Sequence, residues 1–175
     1  MHRLFLAFAA LLLALPMPAS AQVRLSFQSF NGSVLVGRYP HTFIVLEGTL
    51  DETGQPVSEN YGYTAVSVTP AILTDNVAGT VRSEPQKYVL STNRHFTVPI
   101  SDAQYHAIIA EVHAWRDAPG KAYNLATHNC VHFVARIAAM VGLNADVPQD
   151  MVRRPKAWLN YVSRLNPSLG AREIR

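Results

Sequence analysis

The fold of this chain is constrained most strongly by a change in the spacing of its hydrophobic residues near residue 100. Before residue 100, apolar residues such as Val23, Leu25 and Phe27 alternate with polar ones, a period of two typical of a half-buried strand. After residue 101, apolar residues such as Tyr105 and Ile108 recur every three to four positions, which indicates amphipathic helices. Strands followed by helices predict an α+β domain.

Turn and capping residues divide these two halves into elements. We predict strands over 23–28, 33–37, 41–46 and 61–68, with shorter candidates at 88–90 and 95–98. The stretch 71–85 is loop-like. Helices are predicted to begin at Ser101-Asp102, at Asn129-Cys130 and at Pro155, where capping or first-turn residues precede an apolar stripe.

The first 21 residues read as an export signal. A basic start, Met1-His2-Arg3, leads into the apolar run Leu4 to Leu15, and Ala19-Ser20-Ala21 is a small-x-small cleavage pattern. The apolar run is shorter than the roughly 20 residues that cross a bilayer. We therefore expect a signal peptide over 1–21, a single mature domain over 22–175, and a periplasmic or secreted location.

Charge argues against nucleic acid as a partner. The chain has 15 basic and 12 acidic residues, a net charge of +3, and no long basic stripe with interleaved aromatics. The one basic cluster, Arg153-Arg154 with Lys156, precedes Trp158. It is consistent with contact to an anionic membrane surface, although a solvated helix start is the simpler interpretation.

The single cysteine, Cys130, excludes an internal disulfide. It follows Asn129, a good N-cap, and so falls in the first turn of a predicted helix. The positive end of the helix dipole favours a thiolate and lowers the thiol pKa, and the free N–H groups there can hold an oxyanion. The alternative is an inert, packed thiol.

Other chemistries have weaker support in the sequence. His128 and His132 flank Cys130, but the cysteine would point to another side of the helix, so we expect no metal site. There is no glycine-rich phosphate loop and no Gly-x-Ser-x-Gly elbow. We therefore expect no cofactor.

The segment Asn129-Cys130-Val131-His132-Phe133-Val134 resembles the Asn-Cys-x-x-Phe segment of the circularly permuted papain-like cysteine hydrolases. That branch includes lecithin:retinol acyltransferase, its relatives, and bacterial cousins of the cell-wall cysteine endopeptidases. In it the histidine strand precedes the cysteine helix, and the run from His41 to Gly48 is similar to that strand. The resemblance covers roughly 41–142. It implies a small antiparallel sheet packed on the cysteine helix.

The resemblance also implies roles for individual residues. Cys130 would be the nucleophile, His41 the general base, and a third polar residue would orient the imidazole. Across the predicted hairpin, His41 faces the neighbourhood of 60–64, so Asn60 is the candidate for that third residue and Ser67 the runner-up. Taken alone, His41 after Pro40 could equally be an ordinary loop residue.

These observations predict an exported cysteine hydrolase of the amidase or peptidase type. Its substrate would be an amide or ester carbonyl of a cell-envelope peptide or acylated molecule. Two alternatives stay open: a non-catalytic envelope-binding module of the same fold, and a lipid acyltransferase or thioesterase.

Overall fold

Five antiparallel strands form one sheet in the order β4-β3-β2-β1-β5 in the computed structural model, which describes residues 22–32, 39–118 and 123–175. The strands are β1 (Val23–Phe30), β2 (His41–Thr49), β3 (Pro56–Ala65), β4 (Gly79–Arg82) and β5 (Asn93–Ile100). The helices are α1 (Gln86–Val89), α2 (Asp102–Asp117), α3 (Cys130–Met140) and α4 (Pro155–Leu165), with 3-10 turns at Pro70–Leu73 and Pro167–Leu169. The predicted α+β class and antiparallel sheet on helices are confirmed.

Both faces of the sheet are covered. On one face Phe27 and Ile44 join the main core with α2, α3 and α4, whereas on the other Phe43 and Val45 pack against α1. The prediction that β1 is half-buried is therefore wrong, and its polar Ser26 is as buried as its apolar neighbours. The reason is that both faces of the sheet are covered, while β2 and β5 pair with the two edges of β1.

Some predicted elements differ from the structure. The stretch 88–90, a predicted strand, overlaps the short helix α1, and the loop-like stretch 71–85 contains β4. The third strand begins at Pro56 and ends at Ala65 rather than covering 61–68. The predicted strand 33–37 and the predicted signal peptide 1–21 lie outside the described residues. Among the described residues, no helix has the length and apolar character needed to cross a bilayer.

The pairing of β2 with β3 determines which residues of β3 lie near the start of β2. The paired register of β2 with β3 ends at Ile44 and Tyr61, and extending it by three residues would bring His41 opposite Thr64. The helix α3 packs against both β2 and β3. The first residue of β2 and the first residue of α3 consequently open onto the same groove.

Candidate active site

Asn129 fixes the start of the cysteine helix. Its Oδ1 accepts hydrogen bonds from the backbone N–H of Val131 at 2.8 Å and of His132 at 3.4 Å. Its Nδ2 donates to the carbonyl oxygens of Leu125 at 2.7 Å and Val152 at 2.8 Å. The predicted N-cap is confirmed, and Cys130 is held as the first residue of α3.

The side chain of Asn129 is buried, and His132 completes the cap because its Nδ1 accepts from the Asn129 N–H at 3.3 Å. A histidine thus stands where a capping box usually has Glu or Gln. His128, two residues before Cys130, stacks on Trp115 with ring centroids 4.2 Å apart. In the part of the chain that the structure describes, no cluster of three or more His, Cys, Asp or Glu could hold a metal ion.

Cys130 lines the groove but is only 5% exposed. Burial raises the pKa of its thiol to about 11, because a thiolate loses hydration there. Three backbone N–H groups lower this pKa, but by less than burial raises it; they belong to Thr42, Val131 and Cys130 itself. The expectation of a lowered thiol pKa at this helix end is therefore wrong, since desolvation outweighs the amides.

His41 lies at the first position of β2, with its ring stacked on Phe43 at a centroid distance of 6.2 Å. Gly62 on β3 leaves room for the imidazole, because a Cβ at that position would overlap Nε2. Burial lowers the pKa of His41 to about 4, so the imidazole is neutral near pH 7. A neutral imidazole is the form that can accept a proton.

The groove has a volume of about 710 Å³, and Cys130 and His41 both line it. They do so from opposite faces of the sheet, because the His41 ring stacks on Phe43 on the face that α1 covers, whereas α3 packs against the other face. The backbone of Thr42, next to His41, lies close enough to the sulfur to act on its pKa. Within the described residues, no hydrogen bond joins the imidazole to the thiol.

Asn60 does not turn its amide towards the imidazole. Its Nδ2 donates to the Glu84 carbonyl oxygen at 3.0 Å, and its Oδ1 accepts from the Glu84 N–H at 2.5 Å. The structure therefore gives this predicted orienting residue another partner. Ser67, the runner-up, is exposed beyond the end of β3. Thr64, opposite His41 in the continued register, does line the groove.

Two further residues that no sequence pattern indicated lie beside the proposed pair, Tyr123 near the thiol and Gly62 against the imidazole. Tyr123 lines the groove, and the pKa of its hydroxyl is raised by burial and then by the negative charge of a Cys130 thiolate. It lies outside every periodic pattern, so no sequence signal marked it. Gly62 could have been identified only from the pairing of β2 with β3. Extending that register by one residue beyond Ile44 and Tyr61 places Gly62 opposite Phe43, two residues from His41.

His95 is buried although it follows the charged Arg94. Its ring is 5% exposed, and its Nε2 shares a 2.8 Å hydrogen bond with the hydroxyl of Ser29. The cause is α4, which packs across β1 and β5 and covers this end of both strands.

No protein-family model matches this sequence, and no curated protein matches it. Among solved structures, the crystal structure of the type VI secretion system effector TseH is similar, with a TM-score of 0.55 and 17% sequence identity. The match covers 83% of this chain and 90% of that one. At this level of identity the likeness supports the fold alone.

Proposed function

We propose that this chain is an exported cysteine hydrolase in which Cys130 is the nucleophile and His41 the base. The observation on which the proposal rests is the shared groove, which is lined by the first residue of a capped helix and the first residue of a strand. Covalent acyl transfer requires the base within hydrogen-bond reach of the nucleophile, directly or through one water, so the proposal requires the His41 ring to turn towards the sulfur when substrate binds.

The two shifted pKa values determine how the thiol is activated. Because the thiol pKa is about 11 and the imidazole pKa about 4, both groups are neutral near pH 7. Sγ therefore attacks the carbonyl carbon as its proton passes to the imidazole, rather than from a preformed ion pair. The backbone N–H groups of Cys130 and Val131 can stabilise the oxyanion that forms. The imidazolium then protonates the leaving group, and water releases the acyl group from sulfur.

The substrate class follows from export and from the chemistry of a thiol. A periplasmic or secreted hydrolase has cell-envelope peptides and acylated molecules within reach, and both offer an amide or ester carbonyl. The protein with a similar structure is described as a secretion-system effector, which is compatible with action outside the cytoplasm.

Trapping the acyl-enzyme tests the proposal. Wild type, Cys130→Ser and His41→Ala are incubated with envelope extracts, and intact mass is followed by peptide mapping. We expect an adduct on residue 130 in wild type or Cys130→Ser, and acylation about a hundredfold slower in His41→Ala. His113→Ala, an exposed histidine on α2, is the matched control and should behave as wild type. Absence of an adduct from all of these proteins would contradict the proposal.

A second candidate is a non-catalytic envelope-binding module of the same fold. The observation in its favour is the buried, protonated thiol without a hydrogen bond to His41. The two candidates differ in one measurement. Under the binding-module hypothesis, Cys130→Ala retains envelope binding and wild type never acquires a mass adduct on the sulfur.

A further inference from the structure

The mouth of the groove is more apolar than the rest of the surface. Among the described residues, the large exposed hydrophobic side chains are Tyr39, Val66, Val68, Leu73 and Leu90. Three of these line the groove: Tyr39 at 62% exposure, Val68 at 52% and Leu73 at 67%. Exposed apolar side chains gathered at a cleft mark a binding surface for an apolar group.

The groove that Cys130 lines has an apolar side. It is formed by Val68, Ile72 and Leu73 in the segment after β3, and Leu125 lines the same groove before α3. A volume of about 710 Å³ lies in the range of roughly 300–1,000 Å³ that small-molecule sites occupy. The groove therefore has room for an extended apolar chain as well as the reacting carbonyl.

A basic depression adjoins this groove. It has a volume of about 360 Å³, and Arg153, Arg154 and Lys156 line it, with no carboxylate among the lining residues that the structure describes. Arg153 and Pro155 also line the groove, so the depression and the groove are adjacent. In the part of the chain that the structure describes, no ion pair neutralises these three cations. The depression is complementary to an anionic group.

From this juxtaposition we infer that the site takes an acylated anionic lipid, with its acyl chain along Val68 and Leu73 and its anionic headgroup at Arg153, Arg154 and Lys156. The scissile carbonyl then lies at Cys130. The hydrolytic step rests on the proposed function: Sγ bonds to the acyl carbon, the ester C–O bond breaks, and the alcohol leaves with the thiol proton. Water then yields the fatty acid and restores the thiol. The binding itself does not depend on that chemistry.

Vesicle binding by Cys130→Ala tests the inference apart from catalysis. We expect this protein to bind vesicles of phosphatidylglycerol and phosphatidylcholine in equal parts, and pure phosphatidylcholine much more weakly. Replacing Arg153, Arg154 and Lys156 by Gln should weaken binding about a hundredfold, because each cation near an anionic lipid surface contributes about fivefold. The matched control replaces three exposed arginines that do not line the depression, Arg24, Arg172 and Arg175, by Gln. It should change vesicle binding less than twofold, because solvent screens surface charges that lie away from the lipid.

The apolar subsite has its own pair of variants. In the same background, Val68→Ser with Leu73→Ser should weaken binding about tenfold, through the loss of buried apolar area. Leu90→Ser removes a side chain that is 77% exposed but does not line the groove, and should have no effect. Circular dichroism of each variant establishes that it is folded.

Four outcomes separate this inference from the proposed function. Equal binding to both vesicle types, unchanged by the three Gln substitutions, overturns the inference, as does preferential binding of soluble peptidoglycan fragments. Vesicle binding without release of fatty acid by wild type keeps the lipid site and contradicts the hydrolase. Hydrolysis of a short soluble ester by wild type, without vesicle binding, keeps the hydrolase and overturns the lipid site.

Discussion

The imidazole of His41 occupies the space that a side chain at Gly62 would need, since a Cβ there would overlap Nε2. The backbone of Gly62 has no positive φ, so the glycine provides room rather than conformational freedom. The two residues lie on adjacent strands, and the imidazole lies directly against the backbone of Gly62.

Gly62→Ala should displace the imidazole and slow acylation of Cys130 nearly as much as His41→Ala does. We also expect unfolding in urea to show a loss of about 1–3 kcal/mol, typical of overpacking. The control is a double-mutant cycle: in the His41→Ala background, Gly62→Ala should cost much less. An equal loss in both backgrounds would mean that the glycine matters for another reason.

Asn129→Ala should destabilise the protein by more than an ordinary cap substitution. Loss of the cap costs about 1 kcal/mol. The carbonyls of Leu125 and Val152 also lose their buried donor, which costs about 1–3 kcal/mol more. Urea unfolding measures the sum.

Asn129→Asp separates these two contributions, because it keeps the capping oxygen and removes the amide donor. It should retain helix α3 by circular dichroism and still lose stability. If Asn129→Asp were as stable as wild type, the two carbonyl contacts would have no energetic importance.

Asn60→Ala should act on stability and leave the chemistry nearly unchanged. Its amide joins β3 to the backbone of Glu84, so its loss should cost about 1–3 kcal/mol of unfolding free energy. Acylation of the folded variant should stay within a fewfold of wild type. A large fall in acylation rate with normal stability would instead restore Asn60 as the residue that orients His41.

Local sequence signals predicted the elements that depend on neighbouring residues. The cap at Asn129, the cap at Ser101 and the proline at the start of α4 are first-turn features, and each helix begins where they indicate. The run from His41 to Leu46 likewise predicted a buried strand, which the structure extends to Thr49. Such features need no knowledge of the tertiary fold.

The parts that the sequence could not predict are set by contacts between distant residues. The pKa of Cys130 depends on how deeply α3 is covered, and helix position alone suggested the opposite direction. Asn60 has the chemistry to orient an imidazole, but the approach of the segment at Glu84 decides its partner. His95 is buried only because α4 crosses its strand.

Acid should destabilise the fold partly through His95. Burial, and then the positive charge of Lys156, lower the pKa of this ring from 6.5 to about 4, so the unfolded chain takes up the proton first. The stability that the neutral ring contributes is present above pH 6.5 and is lost as pH falls towards 4. His95→Gln cannot titrate, and its unfolding free energy should change less across this interval. Parallel curves for the two proteins would contradict this assignment.

Chemical labelling of the Cys130 thiol should depend strongly on pH. Because burial raises the pKa of Cys130 from 9.0 to about 11, iodoacetamide should label the folded protein at pH 7 about a hundredfold more slowly than the urea-unfolded chain. The labelling rate should then rise with pH until about 11. The same shift makes the protein lose stability as pH rises from about 9 towards 11, since the unfolded thiol ionises first. Cys130→Ala should lack that part of the alkaline loss. Rapid labelling at a rate that is already constant between pH 6 and 7 would instead show that the resting protein contains a thiolate. Cys130 and His41 would then form an ion pair, whereas the proposed proton transfer depends on a neutral pair.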